Sequence, residues 1–166
     1  MATIEENKAI YLTFLIDKEV FAAHVSKIER IIEVPVITKI PHSPTYMKGV
    51  MDLQGNAMPV VDTRLKFEMS PTEMTANTCV LVLDLNIDGE LVQLGALVDA
   101  VNEVIEIRDD EVRPLPTVGN KYRTEFIQGV VKFGKTFIML LNMDLLFSAD
   151  ELDTLTDQID ELEKVA

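Results

Sequence analysis

Three sets of side chains in this sequence could do chemistry: two histidines, one cysteine, and an Asp-Thr pair closing an apolar run. His24 sits between Ala23 and Val25, and neither it nor His42 has a carboxylate or thiol at a metal-ligand spacing. A hydrogen-bonded structural role is expected for His24, and no metal site is readable. Cys79 lies in the run CVLVLDL, where it reads as a small hydrophobe and not as a reactive thiol, and it has no second cysteine to pair with. Val60-Val61-Asp62-Thr63 resembles the strand-then-Asp-Thr of a proton-sharing carboxylate dyad. However, Arg64 stands where a glycine would let the backbone wrap the acid, and the matching place later in the chain holds Asn142. Asp62 is therefore expected to cap a short helical turn over residues 63–66, so that Asp62→Asn costs a cap-sized ~1 kcal/mol. A β-barrel hydrolase or small-molecule binder using Asp62 is the alternative from another class, and it would lose turnover on the same substitution. The glycine-rich phosphate loops and the GxSxG elbow are absent, and no cofactor is expected.

The elements around these residues come in two copies. Residues 46–67, YMKGVMDLQGNAMPVVDTRLKF, read as a β-hairpin whose apolar runs flank Gln54-Gly55-Asn56. Moved along by 80 positions, the segment meets residues 126–147, FIQGVVKFGKTFIMLLNMDLLF, without a gap, and Gly49, Val50, Leu65 and Phe67 fall on Gly129, Val130, Leu145 and Phe147. Other matches keep the same order: residues 16–20 with 87–91 at an offset of 71, 28–34 with 101–107 at 73, and Ile40-Pro41 with Leu115-Pro116 at 75. A growing offset is what small insertions in the second copy produce, so two homologous halves are expected, about 9–67 and 79–147.

Each half opens on a hairpin, residues 9–25 and 78–98, turning at Asp17-Lys18 and Asp88-Gly89. The nearly continuous apolar character of the second hairpin implies burial on both faces. Residues 26–31 could be a short helix or a strand. Ser43-Pro44 reads as the start of a helical turn stopped by Gly49, with Ser43 as N-cap. Residues 68–77 read as the passage between halves and 117–123 as an exposed loop. Ser148-Ala149-Asp150-Glu151 has the form of a capping box, followed by Leu152, Leu155, Ile159 and Leu162 on one stripe of an acidic helix that either docks on the body or binds a partner.

At 166 residues and 48% apolar content, the chain can bury a sizeable core without a staple. Its net charge of −13 excludes a nucleic-acid partner, because phosphate binding needs clustered bases and the 15 Lys and Arg are scattered among 28 acids. Residues 148–166 alone hold seven of those acids against Lys164. The acidic start suits no signal peptide, and no apolar run approaches the ~18 residues of a membrane span, so a cytoplasmic protein without membrane insertion is expected.

The segment YMKGVMDLQGNAMPVVDTRLKF, the opening hairpin, IERIIEV, VDAVNEVIEI and EVRPLP together resemble the CheW-like adaptors of bacterial chemotaxis, in order and over nearly the whole chain. The resemblance implies two intertwined five-stranded SH3-like β-barrels plus short helices, in agreement with the duplication. It implies a non-enzymatic coupler between the cytoplasmic tip of chemoreceptors and the regulatory domain of the histidine kinase CheA, placed at receptor arrays under the inner membrane. Position by position, it puts the receptor groove at Val25, Ile28, Gly49, Val101 and Val104, and the kinase-facing surface at Val34, Ile37 and Thr38. Two charged positions depart: Gln54 stands where the family has its signature arginine, and Arg30 where a glutamate is common. A CheW paralogue serving a specialised receptor or array is the alternative within the family, with Arg30 and Gln54 as specificity elements. The adaptor part of a CheV-like protein is another, disfavoured because 166 residues leave no room for its receiver domain.

Overall fold

The computed structural model describes residues 8–115 and 126–147, together with Glu151 and Asp157. The loop expected at 117–123, residues 148–150 of the capping box, and the stripe Leu152, Leu155, Ile159 and Leu162 lie outside the described residues.

Among the described residues ten strands follow in chain order: β1 (Lys8–Ile16), β2 (Glu19–His24), β3 (Ile28–Glu33), β4 (Met47–Leu53), β5 (Asn56–Asp62), β6 (Cys79–Ile87), β7 (Glu90–Val98), β8 (Ala100–Arg108), β9 (Ile127–Phe133) and β10 (Thr136–Leu141), with a short helix, α1 (Thr63–Lys66), after β5. They form two five-stranded sheets. The first has the order β8-β1-β2-β10-β9 and the second β3-β6-β7-β5-β4. Each sheet takes strands from both halves, which is the intertwining expected from the resemblance. The chain passes from the first sheet to the second between β2 and β3, and back again between β7 and β8.

The two sheets are copies of one another in register as well as order. In the first, β1 pairs with β8, Leu12 opposite Val104 and Phe14 opposite Val101; in the second, β6 pairs with β3, Leu81 opposite Ile31 and Leu83 opposite Ile28. Both pairings carry a bulge at the same place, between Leu12 and Phe14 and between Ile28 and Arg30. Each sheet also has one parallel contact, β2 with β10 and β5 with β7. These registers place Leu12 on Leu81, an offset of 69, and Ala22 on Gly95, an offset of 73. The offset of 71 drawn from the two turns is thus a compromise. The second hairpin is four residues longer, two in each strand, and aligning the turns hides this.

The alternation of side chains sorts the apolar residues into three cores. Leu12, Phe14, Ile16 and Phe21 from the first sheet meet Leu81, Leu83, Leu85, Leu94 and Val98 from the second in a central core. The opposite face of the first sheet holds Tyr11, Ala22, Ile107, Val131, Ile138 and Leu140, and that of the second holds Met51, Met58, Val60, Val80, Val82 and Leu97. The continuous run of β6 is explained by this: alternate residues serve the central core and the second sheet's own core, so both faces are dry. Isolated bridges from Thr38 to Val50 and from Arg113 to Val130 bring the segment after β3 onto β4, and the segment after β8 onto β9.

The region left open at residues 26–31 resolves into a 3-10 turn, Val25–Lys27, followed by β3. The helical turn expected at Ser43-Pro44 does not form. Ser43 Oγ donates back to the Ile40 carbonyl, Pro44 accepts from Met47 N in a turn, and β4 begins at Met47. Gly49, read as a stop, lies inside that strand, because the apolar run from Met47 is claimed by the sheet.

Candidate functional site

Asp62 is fully buried and caps α1, its Oδ1 accepting from Arg64 N at 3.0 Å. Sequence reasoning missed the rest of its environment: Oδ1 also accepts from Thr72 Oγ1 at 2.6 Å, and Oδ2 accepts from Thr72 N at 3.0 Å. The carboxylate thereby pins the passage between the halves, and a cap-sized cost understates what it holds. Both oxygens are engaged by the protein's own donors, so Asp62 offers nothing to a substrate. His24 has the structural place expected, accepting from Ser26 N and standing edge-on to the Tyr11 ring at 5.4 Å. Cys79 is half-buried at the start of β6, and burial pushes its thiol pKa up, away from reactivity.

Of the residues expected to form the receptor groove, Val25, Ile28 and Val101 lie at the two passages between sheets, and the others lie elsewhere. Val25 belongs to the 3-10 turn and Ile28 opens β3, while Val101 lies near the start of β8; all three are partly buried against the central core. Ile28 and Val101 are equivalents under the duplication, each opposite a central-core residue at its bulge. Val104 stands farther along β8, 59% exposed, and its equivalent Ile31 on β3 is exposed as well. Gly49 is buried, and a Cβ there would come within 2.3 Å of the Thr38 carbonyl oxygen, so it shapes backbone and offers no side-chain contact. Gln54 is exposed at the tip of the β4–β5 hairpin, where it and Gly55 take φ of 53° and 88°. The two-residue turn is Gln54-Gly55, since Asn56 already pairs with Leu53. Arg30 is on β3, with Nη2 2.9 Å from Glu29. No strand pairing joins Arg30, on the outer strand β3, to Gln54, in the turn that follows the opposite outer strand, β4.

The expected kinase-facing residues divide differently. Val34 and Ile37 pack against the second sheet's own core, with Met51 and Met58. Thr38 is exposed but spends its backbone on Val50, with N–O distances of 2.8 Å both ways. Between them Val36 points outward, 88% exposed. It follows a proline outside any strand, so no periodicity marks it.

Two ion-pair clasps were also invisible in the sequence. Arg64, after β5, forms a bidentate pair with Asp99 at the passage from β7 to β8, at 2.9 and 2.6 Å, and Asp99 Oδ2 also accepts from Asp17 N at 2.6 Å. The hydrogen bonds that Arg64 donates to Asp99 raise its pKa further, against the opposing effect of burial. In the other half Lys27, at the passage from β2 to β3, lies 2.7 Å from Asp144 after β10, whose Oδ1 accepts from Asn86 N at 2.8 Å. A third contact joins Lys66 to Glu151 at 2.5 Å, with Lys66 Nζ 4.9 Å from the ring centres of both Tyr46 and Phe147. Burial, and then the Glu151 carboxylate, raise the Tyr46 pKa to about 12.

The model of the CheW-like domain matches residues 11–151. The chain belongs to the CheW-like family. CheW-like relatives include a probable chemotaxis protein CheW of Rhizobium etli, 29% identical over 140 residues covering 84% of this chain and 88% of that protein. The chemotaxis protein CheW of Thermotoga maritima is 30% identical over 80% of this chain and 83% of its own length. Among solved structures, the scaffolding protein TtCheW from Thermoanaerobacter tengcongensis superposes with a TM-score of 0.75 at 25% identity, covering 86% of this chain and 90% of that one.

Proposed function

We propose that this CheW-like protein is a non-enzymatic adaptor that couples the cytoplasmic tip of chemoreceptors to the regulatory domain of the CheA kinase, in the cytoplasm at receptor arrays. The observation that carries the reading is the family match over residues 11–151, joined to a fold whose buried acid is occupied internally while apolar side chains remain at two separate surfaces. The receptor helix is assigned to the groove of Val25, Ile28, Val101 and Val104. Arg30, Gln54 and Gly49 are assigned to the receptor side on the family resemblance, although in the fold Gly49 lies against Thr38 and Ile37. The kinase is assigned to the surface presented by Thr38 and Val36, with Val34 and Ile37 anchoring that segment from inside. Apolar anchors ringed by polar residues are how such surfaces bind.

Calorimetric titration tests both halves of the reading. Wild-type protein should bind the CheA regulatory domain and a receptor-tip helical hairpin. Val104→Asp should lose the receptor and keep the kinase, and Val36→Asp should do the reverse. A folded protein that binds neither partner overturns the reading.

A further inference from the structure

The two clasps occupy equivalent places in the duplicated fold, and their charges are reversed. Arg64 and Asp144 both follow the last strand of a half, at the offset of 80 that relates 46–67 to 126–147. Asp17 and Asn86 both sit at the end of the opening strand, at the offset of 69 fixed by the sheet registers. Asp99 and Lys27 both lie on a passage between sheets. In one clasp the cation follows β5 and the anion is on the passage; in the other the anion follows β10 and the cation is on the passage. Each holds a backbone N–H of the opening strand as a third member. Side-chain exposure is low to moderate, 17% and 13% for Arg64 and Asp99 and 30% and 25% for Lys27 and Asp144, so solvent screens neither pair fully.

These pairs stand where the orientation of one sheet against the other is decided. The central core attracts the sheets through apolar burial, which has no direction and does not select one angle between them. A charge-assisted, multi-centre hydrogen-bonded contact has direction, and here it joins an element of one sheet to the passage and to the opening strand of the other. The groove residues are its immediate neighbours: Lys27 lies between Val25 and Ile28 in the chain, and Asp99 is two residues before Val101. We infer that the Arg64–Asp99 and Lys27–Asp144 clasps are positioning devices, which set the placement of Val25, Ile28 and Val101 and thereby the affinity for a receptor helix. This rests on the receptor-coupling reading above. None of the four residues is assigned a partner contact of its own.

The test compares single charge reversals with exchanges in which both charges are swapped. Lys27→Glu and Asp144→Lys should each weaken receptor-tip binding at least tenfold. The double exchange Lys27→Glu with Asp144→Lys should recover it to within about threefold, as should Arg64→Asp with Asp99→Arg relative to its singles. CheA binding should stay within about twofold throughout, because that surface rests on the second sheet's own core. A second readout needs no receptor: in methyl NMR spectra, the signals of Val25, Ile28 and Val101 should shift in each single variant and return in the exchange, while Met51 and Met58 stay in place. Lys27→Met serves as the milder variant if a reversal fails to fold. The inference is overturned if folded single variants bind the receptor tip like wild type, or if receptor and kinase binding fall together in proportion to lost stability. Absence of receptor binding by the wild type would instead overturn the coupling reading, and the methyl shifts would still decide whether the clasps place the groove.

Discussion

Replacing Asp62 by Asn perturbs a carboxylate that is fully buried and accepts three hydrogen bonds. In its better orientation the amide oxygen still accepts from Arg64 N and Thr72 Oγ1. The amide nitrogen then faces Thr72 N, donor against donor, and one buried N–H loses its partner at ~1–3 kcal/mol. The two surviving bonds lose charge assistance, at roughly 0.5 kcal/mol each. Together these give ~2–4 kcal/mol, a large part of the ~5–15 kcal/mol by which a domain of this kind is stable. At ~2–4 °C per kcal/mol for this size, the unfolding midpoint should fall by roughly 5–15 °C. The duplication supplies the control: Asn142 caps the equivalent turn and, among the described residues, accepts only from Asp144 N, at 3.1 Å, so Asn142→Ala should cost ~1 kcal/mol. Urea unfolding followed by far-ultraviolet circular dichroism measures both, with CheA binding by folded Asp62→Asn retained at a temperature below its transition. Equal losses of ~1 kcal/mol at the two sites would refute the argument, since the Thr72 contacts would then contribute nothing.

Further outcomes can be checked on the same preparations. Gly49→Ala forces a Cβ to 2.3 Å from the Thr38 oxygen at a φ of 153°, and Gly129→Ala forces one to 2.8 Å from the Arg113 oxygen; both should destabilise by at least ~2 kcal/mol, Gly49→Ala the more, in urea unfolding. Tyr46 should titrate near pH 12 in phenolate absorbance against an ordinary value of 10.0. Because its folded pKa is raised, the stabilisation from keeping the phenol neutral is intact below about pH 10 and is lost as pH climbs through about 12. Glu151→Gln should lower that titration point. Arg30→Glu with Gln54→Arg should leave the unfolding midpoint nearly unchanged and alter which receptor tips bind in parallel titrations; unchanged selectivity would remove these two residues as specificity elements.

The duplication was legible because apolar alternation and a few glycines survive in both copies, and Asp62 was legible as a cap because its residue type and position suffice. What lay beyond the sequence was whatever depends on residues far apart in the chain. The offset of 69 is fixed by β1 against β8 and β6 against β3, and that of 73 by β2 against β10 and β7 against β5, all pairings between halves, whereas similar turns attract a local alignment. Pro44 and Gly49 carry helix punctuation, but the Met47 run has a sheet to join, and tertiary pairing overrides local preference. Val34 and Ile37 turn inward while Val36 points out, because a segment after a strand takes its facing from the bridge at Thr38. Arg64 finds Asp99 and Lys27 finds Asp144 only once the sheets have exchanged strands.

The duplication also explains how one small fold can offer unlike surfaces to unlike partners. Core equivalents have kept their character: Leu12 and Leu81, Ala22 and Gly95, Val60 and Leu140 are all small or apolar, and all buried. Surface equivalents have not. Arg30 on β3 answers to Glu103 on β8, and the exposed Val36 segment answers to the acidic turn Asp109–Glu111. The half-buried Leu53 and Ala57 of one hairpin answer to Phe133 and Phe137, 49% and 57% exposed, on the other. A change in either core must fit the registers that the two halves share, whereas a change on one outer surface leaves its equivalent untouched. The two surfaces are therefore free to diverge in chemistry while sharing one frame. Charge reversal of the clasps follows the same logic, since an ion pair can exchange its members without altering the span it closes. If that is so, making both clasps alike by exchanging Lys27 and Asp144 should preserve the fold, and a loss of several kcal/mol on that exchange would show that the polarity itself is built into each half.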